Sequence, residues 1–412
     1  MRFVSLLGIA VLIGLCFACS RNRRAIPWRL VLVGLLLQAV LGVTFLYWTA
    51  GNEALRDAGE GVSSFLELSK VGSSFVFNSL ADGGHVGEAF GPGRGFVFAF
   101  QVLPTLIFFS SFMAVLYYLG IMQWIVRGMA WFMVRLLGTS GGESLSACGN
   151  IFVGQTEAPL LVRPYLNRMT MSELHTVMVG GFATIAGSVF ALYVGFGVSA
   201  GHLMVASVMA VPAGLICSKM LWPETEESQT MGKIVKVDNA SYGNVVEAAA
   251  GGAGDGLKLA LNVAAMLIAF LGIVAVLNAA LGLLYEGLSV QLILGYLFWP
   301  IAAVMGVPAG EIMTLSELLG TKIVLTELVA YGELGQMIEA KEISPRTQLI
   351  ASFALCGFAN LGSVAIQIGG LGAMAPERRS DLARLGLRAM FAGALATCMT
   401  ACVAGVLSEV PA

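Results

Sequence analysis

GNIFVGQTEAP, residues 149–159, places an asparagine, a glutamine, a threonine and a carboxylate around a helix-unfriendly glycine, in a chain that otherwise reads as lipid-soluble. Of the 412 residues, 57% are hydrophobic and 12% are charged. A glutamate at membrane depth is costly unless it faces a polar, protein-lined cavity, so Glu157 marks a functional site by default. The surrounding runs are continuously apolar and long enough to span as helices, whereas barrel strands alternate apolar and polar residues. The expected class is an all-α polytopic membrane protein.

Working outward, uncharged runs suitable for spanning are 3–20, 30–50, 96–120, 174–218, 259–285, 347–375 and 389–408. The run 174–218 is too long for one crossing at about 20 residues each, and GFGVSAG, 195–201, divides it. That makes about eight transmembrane helices. Residues 3–20 imitate a signal peptide, but Arg21, Arg23, Arg24 and Arg29 follow the run and only Arg2 precedes it, as in a retained first span that starts outside. With that start, the inside connections carry Arg127, Arg135, Arg163, Arg168, Lys219, Lys233, Lys236 and Lys258, then Arg378, Arg379, Arg384 and Arg388. The outside loop 51–95 mixes six acids with Arg56, Lys70 and Arg94. The positive-inside bias therefore predicts both termini outside.

Residues 287–310 are read as interfacial, because a crossing there would turn the late arginines outward. Residues 121–138 are either a second interfacial segment, with Trp124, Arg127, Trp131 and Arg135 on one margin, or an extension of the span before them. Two regions, 141–165 and 311–343, are too apolar for loops and too interrupted for spans. Each starts and ends on one side, as re-entrant hairpins do, the first entering from inside and the second from outside.

These regions repeat. The first hairpin holds Thr156-Glu157 and leads to FATIAGSV, 182–189; the second holds Thr326-Glu327 and leads to FANLGSV, 358–364. Since the two units start on opposite sides, they form inverted repeats, an architecture of secondary transporters. Where helices break, N–H and C=O groups lose their partners and become ligands. Such carbonyls, with Asn150 and Thr184, suit a small hard cation, while Glu157 and Glu327 accept hydrogen bonds from a hydroxyl- or amide-rich solute. The formal charge of −2 without a large basic tract argues against a nucleic-acid partner. The seven cysteines have no zinc or disulfide spacing, and His85, His175 and His202 lie far apart, so neither set suggests a metal centre or cofactor.

At GNIFVGQTEAPLLVRPYL (149–166), ELVAY (327–331), SPRTQLIASFALCGFAN (344–360) and AIQIGGLG (365–372), the chain resembles the concentrative nucleoside transporter family, and the resemblance runs nearly end to end. It implies a homotrimer in a bacterial inner membrane that carries one nucleoside, such as uridine, with a cation by an elevator movement. It also implies the division: scaffold helices in 1–120, a first repeat in 121–222, a cytoplasmic linker in 223–258, a sixth scaffold helix in 259–286 and a second repeat in 287–412. By position, Gln155, Thr156 and Glu157 meet the base, with Gly154, Val189 and Phe358 packed on it; Glu327, Asn360 and Ser363 hold the ribose. Sodium falls to the side chains of Asn150 and Thr184 and the carbonyls of Val153 and Ile185. Three departures stand out: Thr184 where many members have serine, Thr326 where asparagine is common, and Leu361-Gly362 in place of Phe-Ser.

Proton coupling through Glu157 or Glu327 is the near alternative to sodium, since burial favours the protonated carboxyl. An intramembrane enzyme is the remote one, because no paired-aspartate, HExxH or Ser-Lys constellation is present. A channel would show flux without accumulation.

Overall fold

Backbone polar groups in an apolar medium must be satisfied within their own segment. The described residues accordingly fold as helices, with one isolated bridge between Ser140 and Met231. The computed structural model describes residues 1–91, 95, 97–233, 242–285 and 287–408. Arg94, Lys236 and part of the expected linker lie outside the described residues.

Helix α1 (Arg2–Ala18) is followed by α2 (Trp28–Gly42), which continues through a π-helical turn, Val43–Tyr47. The interval expected as an outer loop is largely helical: α3 (Thr49–Glu67), α4 (Ser69–Phe77) and α5 (Gly83–Phe90). Its charge hid a helix period, for α3 buries Leu55, Gly59 and Leu66 while Arg56 and Glu60 stay in solvent. After α6 (Phe98–Gln101) and α7 (Leu103–Tyr118), Gly120 adopts a left-handed conformation that turns the chain. Helix α8 (Ile121–Leu137) is therefore separate from α7, with Met122, Val126, Ala130 and Met133 buried and Trp124 and Trp131 exposed.

The first hairpin region consists of α9 (Gly141–Gly149), an irregular tip, and a 3-10 helix, Ala158–Arg168. Then come α10 (Met171–Ala183), α11 (Gly187–Gly195) and α12 (Ala200–Leu221), so the long run divides at 195–201. Helix α13 (Val245–Leu284) begins inside the interval expected as linker, so residues 245–258 are helical. The glycine-rich, charged start of α13 concealed it. The second half holds α14 (Val290–Met305), α15 (Ile312–Val324), α16 (Glu327–Glu339), α17 (Pro345–Ala354), α18 (Leu361–Met374) and α19 (Arg379–Leu407).

Among the described residues, four helical stretches have the length and composition to cross a membrane alone: Trp28–Tyr47, Phe98–Tyr118, Ala200–Leu221 and Pro376–Leu407. The latter two are mostly buried within the protein, while few residues of the first two are fully buried. Two further crossings expected from the sequence are broken in the middle, as α10 with α11 and α17 with α18.

Two capping boxes anchor the first hairpin and the helix after it. Ser140 with Glu143 caps α9, and Thr170 with Glu173 caps α10. Lys219, on α12, pairs with the buried Glu143 at 2.6 Å, and Ser228 and Thr230 donate to Glu173. Removing one partner of such a buried pair costs about 3–5 kcal/mol. At the other end, Arg2 donates to the carbonyl of Ser408 at 3.0 Å, so these two ends of the chain lie together.

Candidate functional site

The two broken helices meet at their breaks. Helix α10 stops at Ala183 and α11 resumes at Gly187; α17 stops at Ala354 and α18 resumes at Leu361. The Phe358 N–H donates to the Thr184 carbonyl at 3.3 Å, joining one break to the other. Gly357 permits this approach, since a Cβ there would sit 2.6 Å from the Phe182 carbonyl oxygen.

The breaks and the hairpin tips surround a cavity of about 970 Å³. Every residue assigned to the solute lines it: Gly154, Gln155, Thr156 and Glu157 from the first tip, Val189 from α11, Glu327 from α16, Phe358 and Asn360 from the second break, and Ser363 from α18. Chain segments far apart in sequence thus contribute to one wall.

Glu327 is the first residue of α16, where the positive end of the helix favours a carboxylate. It is 5% exposed. Tyr193 Oη donates to its Oε1 at 3.1 Å and Asn360 Nδ2 to its Oε2 at 2.9 Å. Asn360 cannot turn over, because its Oδ1 accepts from the Ser363 N–H at 2.7 Å as the N-cap of α18. Lys322 is also buried, yet its bonds go to the Ala354 carbonyl and the Thr397 hydroxyl. Glu157 differs: it is exposed to the cavity, and its carboxylate has no hydrogen-bond partner among the described residues.

Two of the residues assigned to sodium, Asn150 and Thr184, flank Gly180. Thr184 Oγ1 donates to the Gly180 carbonyl at 2.8 Å, and a Cβ on Gly180 would lie 3.3 Å from Asn150 Nδ2. Asn150 Nδ2 donates to the Ser146 carbonyl at 2.9 Å, which turns Oδ1 the other way. That oxygen is buried and has no partner among the described residues. A buried, orphaned amide oxygen suits a hard cation. Val153 belongs to the tip and Ile185 to the break beside Thr184.

Two residues received no role from the sequence reading. Tyr193, fully buried in α11, stacks on Tyr331 with ring centroids 4.2 Å apart and bonds Glu327. Gln367 on α18 donates to Gln155 Oε1 at 3.0 Å. Each is the one large polar side chain in an otherwise apolar helix, which was the available signal.

Comparison with known proteins gives matches along the chain. Residues 7–80 match the family described as Na+ dependent nucleoside transporter N-terminus, 99–200 match nucleoside recognition, and 202–405 match Na+ dependent nucleoside transporter C-terminus. Sodium/nucleoside cotransporter 1 of Mus musculus is 47% identical over 98% of this chain, which spans 64% of that relative's length. An uncharacterized transporter of Haemophilus influenzae is 46% identical, with 98% of this chain and 97% of that protein covered. The structure of CNTnw in an inward-facing substrate-bound state superposes with a TM-score of 0.94, at 46% identity and with 99% of each chain covered.

Proposed function

Since the chain belongs to the sodium-dependent nucleoside transporter family, a family of transporters and not of enzymes, we propose that it is a sodium-coupled symporter that brings nucleosides into the cell. The observation that carries the reading is the cavity itself. It sets a rigid, doubly anchored carboxylate, Glu327, across from an amide and a second carboxylate, Gln155 and Glu157. A hydroxyl-bearing sugar suits the first, and a base with donors and acceptors on its edge suits the others. The ribose falls to Glu327, Asn360 and Ser363, and the base to Gln155, Thr156 and Glu157, with Gly154, Val189 and Phe358 packed on it.

Sodium is cargo in this scheme. It takes the orphaned oxygen of Asn150, the hydroxyl of Thr184 and the carbonyls of Val153 and Ile185. The site borders the breaks that shape the solute cavity, so filling one orders the other, which is the physical basis of coupled binding. Arg163 and Lys258 also line the cavity. The positive-inside reading puts both in the cytoplasm, so the cavity opens inward. The two hairpins and broken helices form inverted repeats that move as an elevator against α1, α2, α7 and α13. Three copies assemble in a bacterial inner membrane, with both termini periplasmic.

Uptake of labelled uridine into vesicles tests the reading. Uptake collapses without sodium, persists when the proton gradient is dissipated, and returns the nucleoside chemically unchanged. Uptake that follows the proton gradient and ignores sodium would sink the assignment of the ion and revive a titrating Glu157 or Glu327.

A further inference from the structure

The two ends of an amide side chain have the same shape and opposite hydrogen-bonding character, so a glutamine reads its ligand only as its neighbours orient it. We propose that Gln367 is a positioning residue that fixes the polarity of Gln155, making the group that meets the base a hydrogen-bond donor. The inference rests on the assignment of Gln155 to the base. It adds the residue that sets the sense of recognition.

The chain of bonds starts from a group that cannot change its role. The backbone carbonyl of Met178 only accepts, and Gln367 Nε2 lies 3.1 Å from it. The same nitrogen has a second hydrogen, directed at Gln155 Oε1 at 3.0 Å. Gln155 must then turn its own nitrogen the other way, and that nitrogen donates to Ser363 Oγ at 3.1 Å. One hydrogen of Gln155 Nε2 remains, on a residue that lines the cavity. Reversing Gln367 would oppose its oxygen to the Met178 oxygen, two acceptors face to face in a site that excludes water. The order of donors is therefore dictated from the backbone outward.

Two further observations show that the arrangement is built. Gly181 makes room for it: a Cβ there would sit 2.6 Å from Gln367 Nε2 and 2.8 Å from Gln155 Cβ. Gln367 is 1% exposed, and its Oε1 has no partner among the described residues. A residue present for packing alone would be apolar and would avoid that cost. The bonds also cross between the halves of the chain, from Met178 and Gln155 in the first to Gln367 and Ser363 in the second.

The ligand chemistry follows. An acceptor on the base, a ring carbonyl or an unprotonated ring nitrogen, faces Gln155. A neighbouring donor on the base faces Glu157, which as a carboxylate only accepts. The site thus selects a base edge on which acceptor and donor are adjacent.

The test compares the full-length protein with Gln155→Leu, Gln367→Met and the double variant. The probes are uridine, uridine analogues lacking one base carbonyl at a time, and 3′-deoxyuridine, read as competition for uptake. In the unaltered protein, deleting one base carbonyl weakens binding about tenfold. Gln155→Leu and Gln367→Met each weaken uridine by about that factor and abolish the penalty for that deletion, and Gln367→Met, which removes no bond of Ser363, leaves the 3′-deoxy penalty unchanged. Combining them adds less than about twofold, since both act through one contact. A merely structural role for Gln367 would instead weaken every probe alike, and that result overturns the proposal, as does an unaltered protein indifferent to every base carbonyl. If Gln367→Met is not recovered folded, Gln367→Glu is read the same way, having the same shape and no hydrogen to donate when ionised. Should Gln155→Leu leave discrimination among bases intact, the assignment of the base itself fails. An effect of Gln155→Leu that Gln367→Met does not reproduce sinks the positioning role alone.

Discussion

Glu157 and Glu327 each follow a threonine at a hairpin tip, yet one carboxylate stands exposed in the cavity while the other is 5% exposed and held by two donors. The backbone explains the contrast. The second hairpin turns within Leu325 and Thr326, so Glu327 enters α16 at once, with Thr326 capping the helix through the Val329 N–H. The first unwinds over 150–157 and resumes as a 3-10 helix containing Pro159 and Pro164, which lack the N–H groups of a regular α-helix. With the roles proposed for them, a pair of similar residues yields a receptor formed before the ligand arrives and an arm that acquires its partner from the ligand. Preorganisation on one side lowers the ordering cost of binding, and freedom on the other lets solute enter and leave.

The contrast is sharpened by making the same substitution at both positions. Glu327→Gln must set an amide NH2 against either Tyr193 Oη–H or Asn360 Nδ2–H, since a glutamine has only one oxygen to offer two donors. Nucleoside affinity is expected to fall by about 2–3 kcal/mol, roughly 30-fold to 150-fold, and the ligand-free protein to melt at a lower temperature. Glu157→Gln is expected to weaken the nucleoside by about 2 kcal/mol, roughly thirtyfold, without moving the ligand-free melting temperature, because no bond of the resting protein is lost. Competition for uptake and thermal unfolding with and without uridine separate the two outcomes. Equal shifts in the ligand-free unfolding of both variants would erase the distinction between them.

A smaller effect is expected at the cation. Thr184→Val keeps the shape of the side chain and removes the hydroxyl assigned to the cation. The sodium concentration for half-maximal uptake is expected to rise about tenfold, with uridine affinity restored at saturating sodium. A sodium requirement that does not change would remove Thr184 from the cation site.

Much of this arrangement was legible because helix breakers and polar residues are rare in an apolar chain. GNIFVGQTEAP and FATIAGSV each interrupt a run, and the structure has an irregular tip at the first and a broken helix at the second. The capping residues of α9 and α10 were also there to be read, as SGGE, 140–143, and TMSE, 170–173. What stayed hidden depended on pairing across the chain. Gln367 stands 212 positions from Gln155, and nothing local says which amide faces which. Helix α3 was obscured for another reason: its charges suggested a loop, while a period of four residues, Leu55 and Gly59, placed its buried face against the start of α12.

Tyr193 offers the finest test of whether the rigidity of Glu327 matters or only its charge. Its ring is fully buried and stacked on Tyr331, whose own hydroxyl donates to the Ser352 carbonyl at 2.7 Å. Tyr193→Phe keeps that stacking and deletes a single donor from the carboxylate. Glu327 then retains Asn360 and the start of α16, so its charge is still accommodated. One oxygen, however, is free to turn. The loss is expected to be about 1 kcal/mol, roughly fivefold in nucleoside affinity, with little change in sodium dependence. An analogue lacking a ribose hydroxyl should suffer less from Tyr193→Phe than uridine does, because the bond that Tyr193 aligns is already absent. If the two lose affinity equally, the tyrosine serves packing alone, and the firmness of the second tip comes from α16 and Asn360.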